Sequence, residues 1–239
     1  MGKLLLVAIL AIAAHAQSRV PVVVELFTSE GCSSCPPADE FLIRLDRDQP
    51  IPNADVIVLG EHVDYWNGLG WTDRFSSGQF TLRQNQYARR FHLDSSYTPQ
   101  MVVNGRVELV GNDVARARDA IAHAARDENL SHAIAVNADH DNLRVTISSA
   151  GRRSLDVFCA ITERDLSTAV KAGENGGREL HHTGVVRLMR KLGSTRDGSF
   201  SANVPLQLAP AWQLQNLRAV VFLQDAEGEI LGATQISLR

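Results

Sequence analysis

The residues best suited to chemistry are Cys32 and Cys35, two serines apart in Cys32-Ser33-Ser34-Cys35. If this stretch opens a helix, the two sulfurs meet and close a small disulfide ring. Cys32 then sits beside helix N–H groups that lack partners and near the positive end of the helix dipole. Both stabilise a thiolate and lower its pKa from ~8.5 toward ~3.5–7.5. Such a thiolate attacks a disulfide, and the second cysteine displaces the captured partner. A static structural disulfide uses the same two residues and stands beside this reading. Zinc is disfavoured, because no second ligand pair follows at suitable spacing. The third cysteine, Cys159 in the apolar run Leu155–Ile161, reads as a buried core thiol.

The elements around the pair follow from hydrophobic period. Val20–Phe27 is β-branched and apolar almost throughout, as in a strand covered on both faces. A short turn, Thr28–Gly31, leads to the cysteines, and Ala38–Arg47 has helical spacing. Ser33 and Ser34 are good cap types, and Pro36-Pro37 are tolerated in a first helical turn. Asp55–His62 is a second strand, Asp64–Trp71 an aromatic, Gly-rich loop, and Gln79–Phe91 a helix. Gln100–Asn104 and Arg106–Val110 form a hairpin around Asn104-Gly105, followed by a helix over Val114–Arg126. This β-α-β unit, helical insertion, hairpin and closing helix describe an α/β sheet of thioredoxin type. From about Glu128 the texture changes to short strands: His132–Ala138, Leu143–Ser149, Leu155–Thr162, Gly198–Leu208, Leu217–Asp225 and Glu229–Leu238. They predict a smaller, mostly-β, sandwich-like second domain with a Gly-rich loop at Lys171–Arg178. The expected division is therefore a signal peptide over 1–16, a thioredoxin-like domain over 17–128 and a β-rich domain over 129–239.

The run from Val24 to Asp39 resembles the signature of an uncharacterised family of exported bacterial proteins, a domain of unknown function with a thioredoxin-like first domain. His62–Trp66, Leu69–Trp71, Tyr97–Gln100, Gly173–Asn175, Arg178, His182 and Val185–Arg187 extend the likeness over nearly the whole mature chain. More distantly, the first domain is similar to thioredoxins and disulfide isomerases. That resemblance implies a catalytic set: Cys32 and Cys35 as the pair, Pro99 as a cis proline facing it, and Glu25 as a buried acid that takes the proton from Cys35. It also implies that the Thr98 backbone pairs with a bound peptide strand. The tryptophan that often precedes the first cysteine is replaced by Gly31, and Ser33-Ser34 stands where Gly-Pro or Gly-His is common. The direction of electron flow is therefore not carried over.

Tyr65, Trp66 and Trp71, with Asp64, either wall the site and contact substrate or pack the insertion over the sheet. His62, at the end of its strand, is a structural histidine or approaches the sulfurs. In the latter case a second function class opens, a copper-binding module with Cys32, Cys35 and His62 as ligands, since soft thiolates suit Cu(I). Copper chaperones of thioredoxin-like fold space their cysteines by three residues rather than two, which counts against it. In the second domain Glu174, Asn175, Arg178, His182 and Arg187 form a polar group. It binds a ligand, docks against the first domain, or is a loop held by an Arg–Glu pair, and the last of these is preferred.

Lys3, the apolar run Leu4–Ala14 and Ala14-His15-Ala16 make a secretory signal with cleavage after Ala16. The run is shorter than the ~20 residues a spanning helix needs, so no stable membrane insertion is expected after cleavage. Periplasmic or secreted placement allows disulfides to persist. A net charge of -3 with both signs interspersed leaves no basic stripe for nucleic acid. The expected activity is thiol–disulfide oxidoreduction on protein or peptide thiols, with no cofactor. The alternatives are the copper module and a binding protein braced by a structural disulfide.

Overall fold

The computed structural model describes residues 19–127, 133–139, 142–148, 150–151 and 153–238. The expected signal segment 1–16 and the expected boundary at 128–129 lie outside them. Among the described residues no helix is long and apolar enough to cross a membrane.

The chain opens with strand β1 (Val20–Thr28), helix α1 (Pro36–Asp48) and strand β2 (Ala54–His62), with β1 and β2 parallel and in register from Val20↔Ala54 to Thr28↔His62. Helix α1 ends where Gln49 turns left-handed (φ 45°) and its N–H returns to the Leu45 carbonyl. Helix α2 (Gly78–Arg90) follows, with Ser77 capping it by accepting from the Gln79 N–H. The antiparallel hairpin β3 (Gln100–Val103) and β4 (Val107–Val110) turns through Asn104 and Gly105, both at positive φ, before helix α3 (Val114–Ala124). These are the elements expected from period and turn chemistry, within a residue or two at their ends.

Strand β1 is covered on both faces, and its alternation sorts the core. Val22, Val24 and Leu26 pack with Phe41, Leu42 and Leu45 of α1 and Ala117 and Ile121 of α3. Val23 and Phe27 lie on the opposite face, in the clusters that hold Phe80 and Tyr87 of α2. Each large side chain so buried contributes roughly 1.5–3 kcal/mol.

The second half adds β5 (Ala133–Ala138), β6 (Asn142–Ser148), β7 (Asp156–Glu163), β8 (Leu166–Ala169), β9 (Glu179–His182), β10 (Val185–Ser194), β11 (Phe200–Pro205), β12 (Leu217–Gln224) and β13 (Ile230–Ser237). It does not close on itself as a separate sandwich. One mixed eight-stranded sheet runs β13-β12-β7-β10-β2-β1-β3-β4 through both halves. A three-stranded sheet, β11-β6-β5, packs over its far end through Leu143, Val145 and Ile147 against Val157, Ile161, Val221 and Leu223. So two sheets do face each other, but the larger is shared with the first half.

The join is made by β10, which pairs parallel to β2 at Val185↔Gly60. The Gly60 N–H donates to the Gly184 carbonyl at 2.8 Å. Gly184 sits at φ +59°, and a Cβ there would come within 2.7 Å of the Val58 carbonyl oxygen. Gly184→Ala should therefore cost about 2 kcal/mol from the left-handed conformation alone, read as a lowered urea midpoint. An unchanged midpoint would mean that this junction does not hold the halves together.

Candidate functional site

Cys32 and Cys35 are joined as a disulfide, with their Cα atoms 5.4 Å apart. The Cys35 N–H donates to the Cys32 carbonyl at 3.2 Å, and the Ala38 and Asp39 N–H groups fold onto the Cys35 carbonyl at 2.9 and 3.1 Å. Cys35 is thus the N-cap of α1, and the ring closes just ahead of the first helical turn. Pro36 and Pro37 follow, where an N–H would have had no helical partner.

Ser33 and Ser34 are exposed, but both cysteines are 0% exposed. Two distant segments pack onto the cysteine turn and the residues before it. From the loop after β2, Trp66 lays its Cβ where a side chain on Gly31 would reach it at 3.1 Å, and its indole Nε1 donates to Thr98 Oγ1 at 2.8 Å. Trp71 donates from Nε1 to Glu30 Oε2 at 2.8 Å. From the turn between β8 and β9, Asn175 Nδ2 donates to the Glu30 and Cys32 carbonyls at 2.9 and 3.0 Å. Glu174 Oε2 accepts from the Ser33 N–H at 3.1 Å, and the Ser33 side chain together with this N–H lowers its pKa.

The Thr98–Pro99 peptide bond is cis. Pro99 is buried close to the start of α1: a Cβ built on Gly111 would lie 3.1 Å from Pro99 Cβ and 3.2 Å from Ala38 Cβ. Thr98, Trp66 and the cysteine turn therefore share one side of the molecule. Tyr65 lies beside Trp66, with ring centroids 6.4 Å apart, and donates its hydroxyl to Gln84 Oε1 of α2 at 3.2 Å.

Glu25 is buried, but not beneath the disulfide. It points to the α2 face, where Arg83 Nε donates to Oε1 at 2.5 Å and the Tyr87 hydroxyl to Oε2 at 2.6 Å. The reason is parity. Residues 22, 24 and 26 of β1 face α1, so residue 25 faces the other way.

Asp39 occupies the α1 side instead, four residues after Cys35 and so one turn along the same helix face. It is buried and accepts from Thr28 Oγ1 at 3.1 Å. Burial pushes its pKa up to about 7, against the pull of His182 and Thr28. Around it lies a sealed polar cluster. His62 Nδ1 and Asp73 Oδ2 are 2.6 Å apart, and Asp73 also accepts from the Glu30 and Phe75 N–H groups. Burial opposes the Asp73 charge, but His62 and these N–H donors outweigh it and hold the pKa at about 2. His182 Nε2 lies 3.5 Å from Glu30 Oε1, an ion-pair separation rather than a hydrogen bond.

The model of one protein family, described as "Protein of unknown function (DUF1223)", matches residues 23–224. The chain belongs to the DUF1223 family. Among solved structures, this DUF1223 chain is similar to a protein from Agrobacterium tumefaciens determined by a structural genomics consortium. The two share 32% identity over 94% of this chain and 97% of that one, with a TM-score of 0.77. It also shares its fold with HBP35 of Porphyromonas gingivalis, at 17% identity, a TM-score of 0.68, and coverage of 92% of this chain and 76% of that one. No curated protein is matched.

The copper alternative finds no support in the geometry of this DUF1223 protein. His62 is held by Asp73 and stacks edge-on against His182 with ring centroids 4.8 Å apart. Among the described residues no group of three or more His, Cys, Asp or Glu side chains is arranged to hold a metal ion. The preferred Arg–Glu brace is also corrected. Arg178 donates to Asn175 Oδ1 at 2.9 Å, Arg187 lies 3.6 Å from Glu163, and Glu174 is spent on Ser33. The contacts of that polar group instead describe docking against the cysteine segment. Cys159 is a buried free thiol whose pKa burial pushes up to about 11, too high for a thiolate at neutral pH. Sequence reasoning did not single out Asp39, Glu30 or Asp73.

Proposed function

We propose that this DUF1223 protein is an exported thiol–disulfide redox protein with a thioredoxin-like first half, acting on protein or peptide thiols through Cys32 and Cys35. The observation that carries the reading is the convergence of a Cys-x-x-Cys disulfide, a helix start and a cis proline on one side of the sheet. A substrate thiolate attacks Cys32 Sγ, the Cys32–Cys35 bond breaks, and Cys35 leaves as a thiolate. A second substrate thiol then attacks the mixed disulfide, so the substrate becomes a disulfide and the pair a dithiol. The reverse reaction reduces a substrate disulfide and restores the Cys32–Cys35 bond. Asp39, an acid poised near neutrality one helical turn from Cys35, is suited to exchange the proton that Cys35 takes or gives.

The sealed sulfurs favour a second reading, a resident structural brace. The two differ in reduction potential. The redox reading expects a value above about -300 mV, and a value below it identifies a resistant bridge. In an insulin-reduction assay the wild-type chain should exceed Cys32→Ser by at least tenfold; equal, background rates would remove the redox reading.

A further inference from the structure

The turn between β8 and β9 does more than pack on the cysteine segment. Its contacts fall on the backbone groups that flank the attacked sulfur. Glu174 takes the Ser33 N–H, and Asn175 takes the Cys32 carbonyl while bridging to that of Glu30. An extended polypeptide laid along the disulfide would use this donor and this acceptor. The turn also closes the gap to the aromatic loop. Gly173, at φ +72°, would place a Cβ 3.1 Å from Trp71 Cβ, so a side chain there would crowd Trp71 and strain the backbone. Glu174 itself is exposed, and nothing but the Ser33 contact explains where its carboxylate points.

We infer that the segment Gly173–Gly177 is a built-in occupant of the substrate site, a latch that stands in for an extended polypeptide and must lift before the disulfide can exchange. This rests on the redox reading of Cys32–Cys35. The latch is held by the exposed Glu174–Ser33 contact and by the buried Asn175 amide on the Glu30 and Cys32 carbonyls, and both its ends, Gly173 and Gly177, take positive φ. It lies on the Ser33 N–H and the Cys32 carbonyl, beside the buried disulfide, without being covalently tied to it. A polypeptide substrate that offers its own acceptor to Ser33 and its own donor to Cys32 replaces those contacts as it enters. A small thiol offers neither and must wait for the latch to open.

The test is kinetic and uses the full chain. Glu174→Ala removes the rim contact from an exposed position, and Gly173→Ala pushes the turn away from Trp71. Reduction of the pair by dithiothreitol and reoxidation by its oxidised form are followed by thiol labelling, with circular dichroism as the fold control. Both rates should rise about tenfold in either variant while the reduction potential stays unchanged. Unchanged rates in both variants would overturn the latch. So would faster reduction without faster reoxidation, because the turn would then be stabilising the disulfide rather than covering it. A potential below about -300 mV removes the redox reading instead, and the two rates still report whether the turn covers the pair.

Discussion

Arg83→Met should destabilise the protein by about 3–5 kcal/mol, because it strips a buried carboxylate of its cation. Arg83 projects from α2 into the sheet on the inward stripe of Phe80, Gln84 and Tyr87. Its Nε lies 2.5 Å from Glu25 and 3.6 Å from Glu61, both fully buried on β1 and β2. Its remaining donors reach the Tyr87 hydroxyl and Gln224 Oε1, and its guanidinium lies 5.5 Å from the Phe222 ring centroid. Burial, reinforced by repulsion from Glu25, holds the Glu61 pKa well above the usual carboxylate range despite Arg83. Of the two carboxyls, Glu25 is the one that Arg83 contacts directly, at 2.5 Å against 3.6 Å to Glu61. Methionine fills similar volume but leaves the Glu25 charge buried and uncompensated. Urea denaturation at pH 7 reads the loss, and adding Glu25→Gln to the methionine variant should recover more than half of it. A loss under about 1 kcal/mol would mean that the ion pair is not what ties α2 to the sheet.

That ion pair also shows how far the sequence speaks. The likeness to thioredoxins implies a buried acid at Glu25, against a solvated strand acid as the plain alternative, and Glu25 is buried. Which face it takes is another matter. With both faces of β1 buried, alternation between apolar and polar residues carries no sign, and nothing local says which parity α1 will cover. Arg83 gave no warning either, because a lone arginine in an amphipathic helix reads as solvated. The partner that explains it arrives from a strand 58 residues earlier.

The first half was legible because its signals are local: β-branched runs, an Asn-Gly hairpin, and cysteines and prolines at a helix start. The sheet order of the second half was not. Strand β10 carries Leu, Met, Arg and Lys, which are good helix formers, and its pairing with β7 shifts register between Val186 and Leu188 and again between Lys191 and Gly193. Each bulge resets the inside–outside alternation, so the period of two that betrays a strand is erased. This strand is the one that joins the two halves. Missing it hides that one sheet runs through both halves. Asp39 escaped notice for a related reason. An acid in a first helical turn is expected from the helix dipole, so its type looked already explained. Its place on the stripe of Cys35, Ala38 and Leu42 was the available signal.

Asp39 gives the other large effect, and its sign follows from linkage. Burial raises its pKa from 3.8 to about 7 in the folded chain, with His182 and Thr28 pulling the other way. The folded state therefore holds a proton that the unfolded state has released across that interval. The stabilisation tied to this proton is fully present below about pH 4 and is lost as the pH rises through about 7. The interval corresponds to about 4 kcal/mol. Asp73 runs the opposite way: its pKa near 2 gives stability that is present above about pH 4 and lost as the pH falls toward 2. Asp39→Asn, neutral at every pH and able to keep the Thr28 contact, should match the wild type at pH 4 and exceed it by several kcal/mol at pH 8. The urea midpoint measured from pH 4 to pH 8 checks this, and a variant that falls in parallel with the wild type would sink the assignment. The same variant separates burial from chemistry. If Asp39 exchanges a proton with Cys35, the rate of disulfide reduction should lose its inflection near pH 7 even where the variant is the more stable protein. An acid that only packs under α1 would leave that pH profile unmoved.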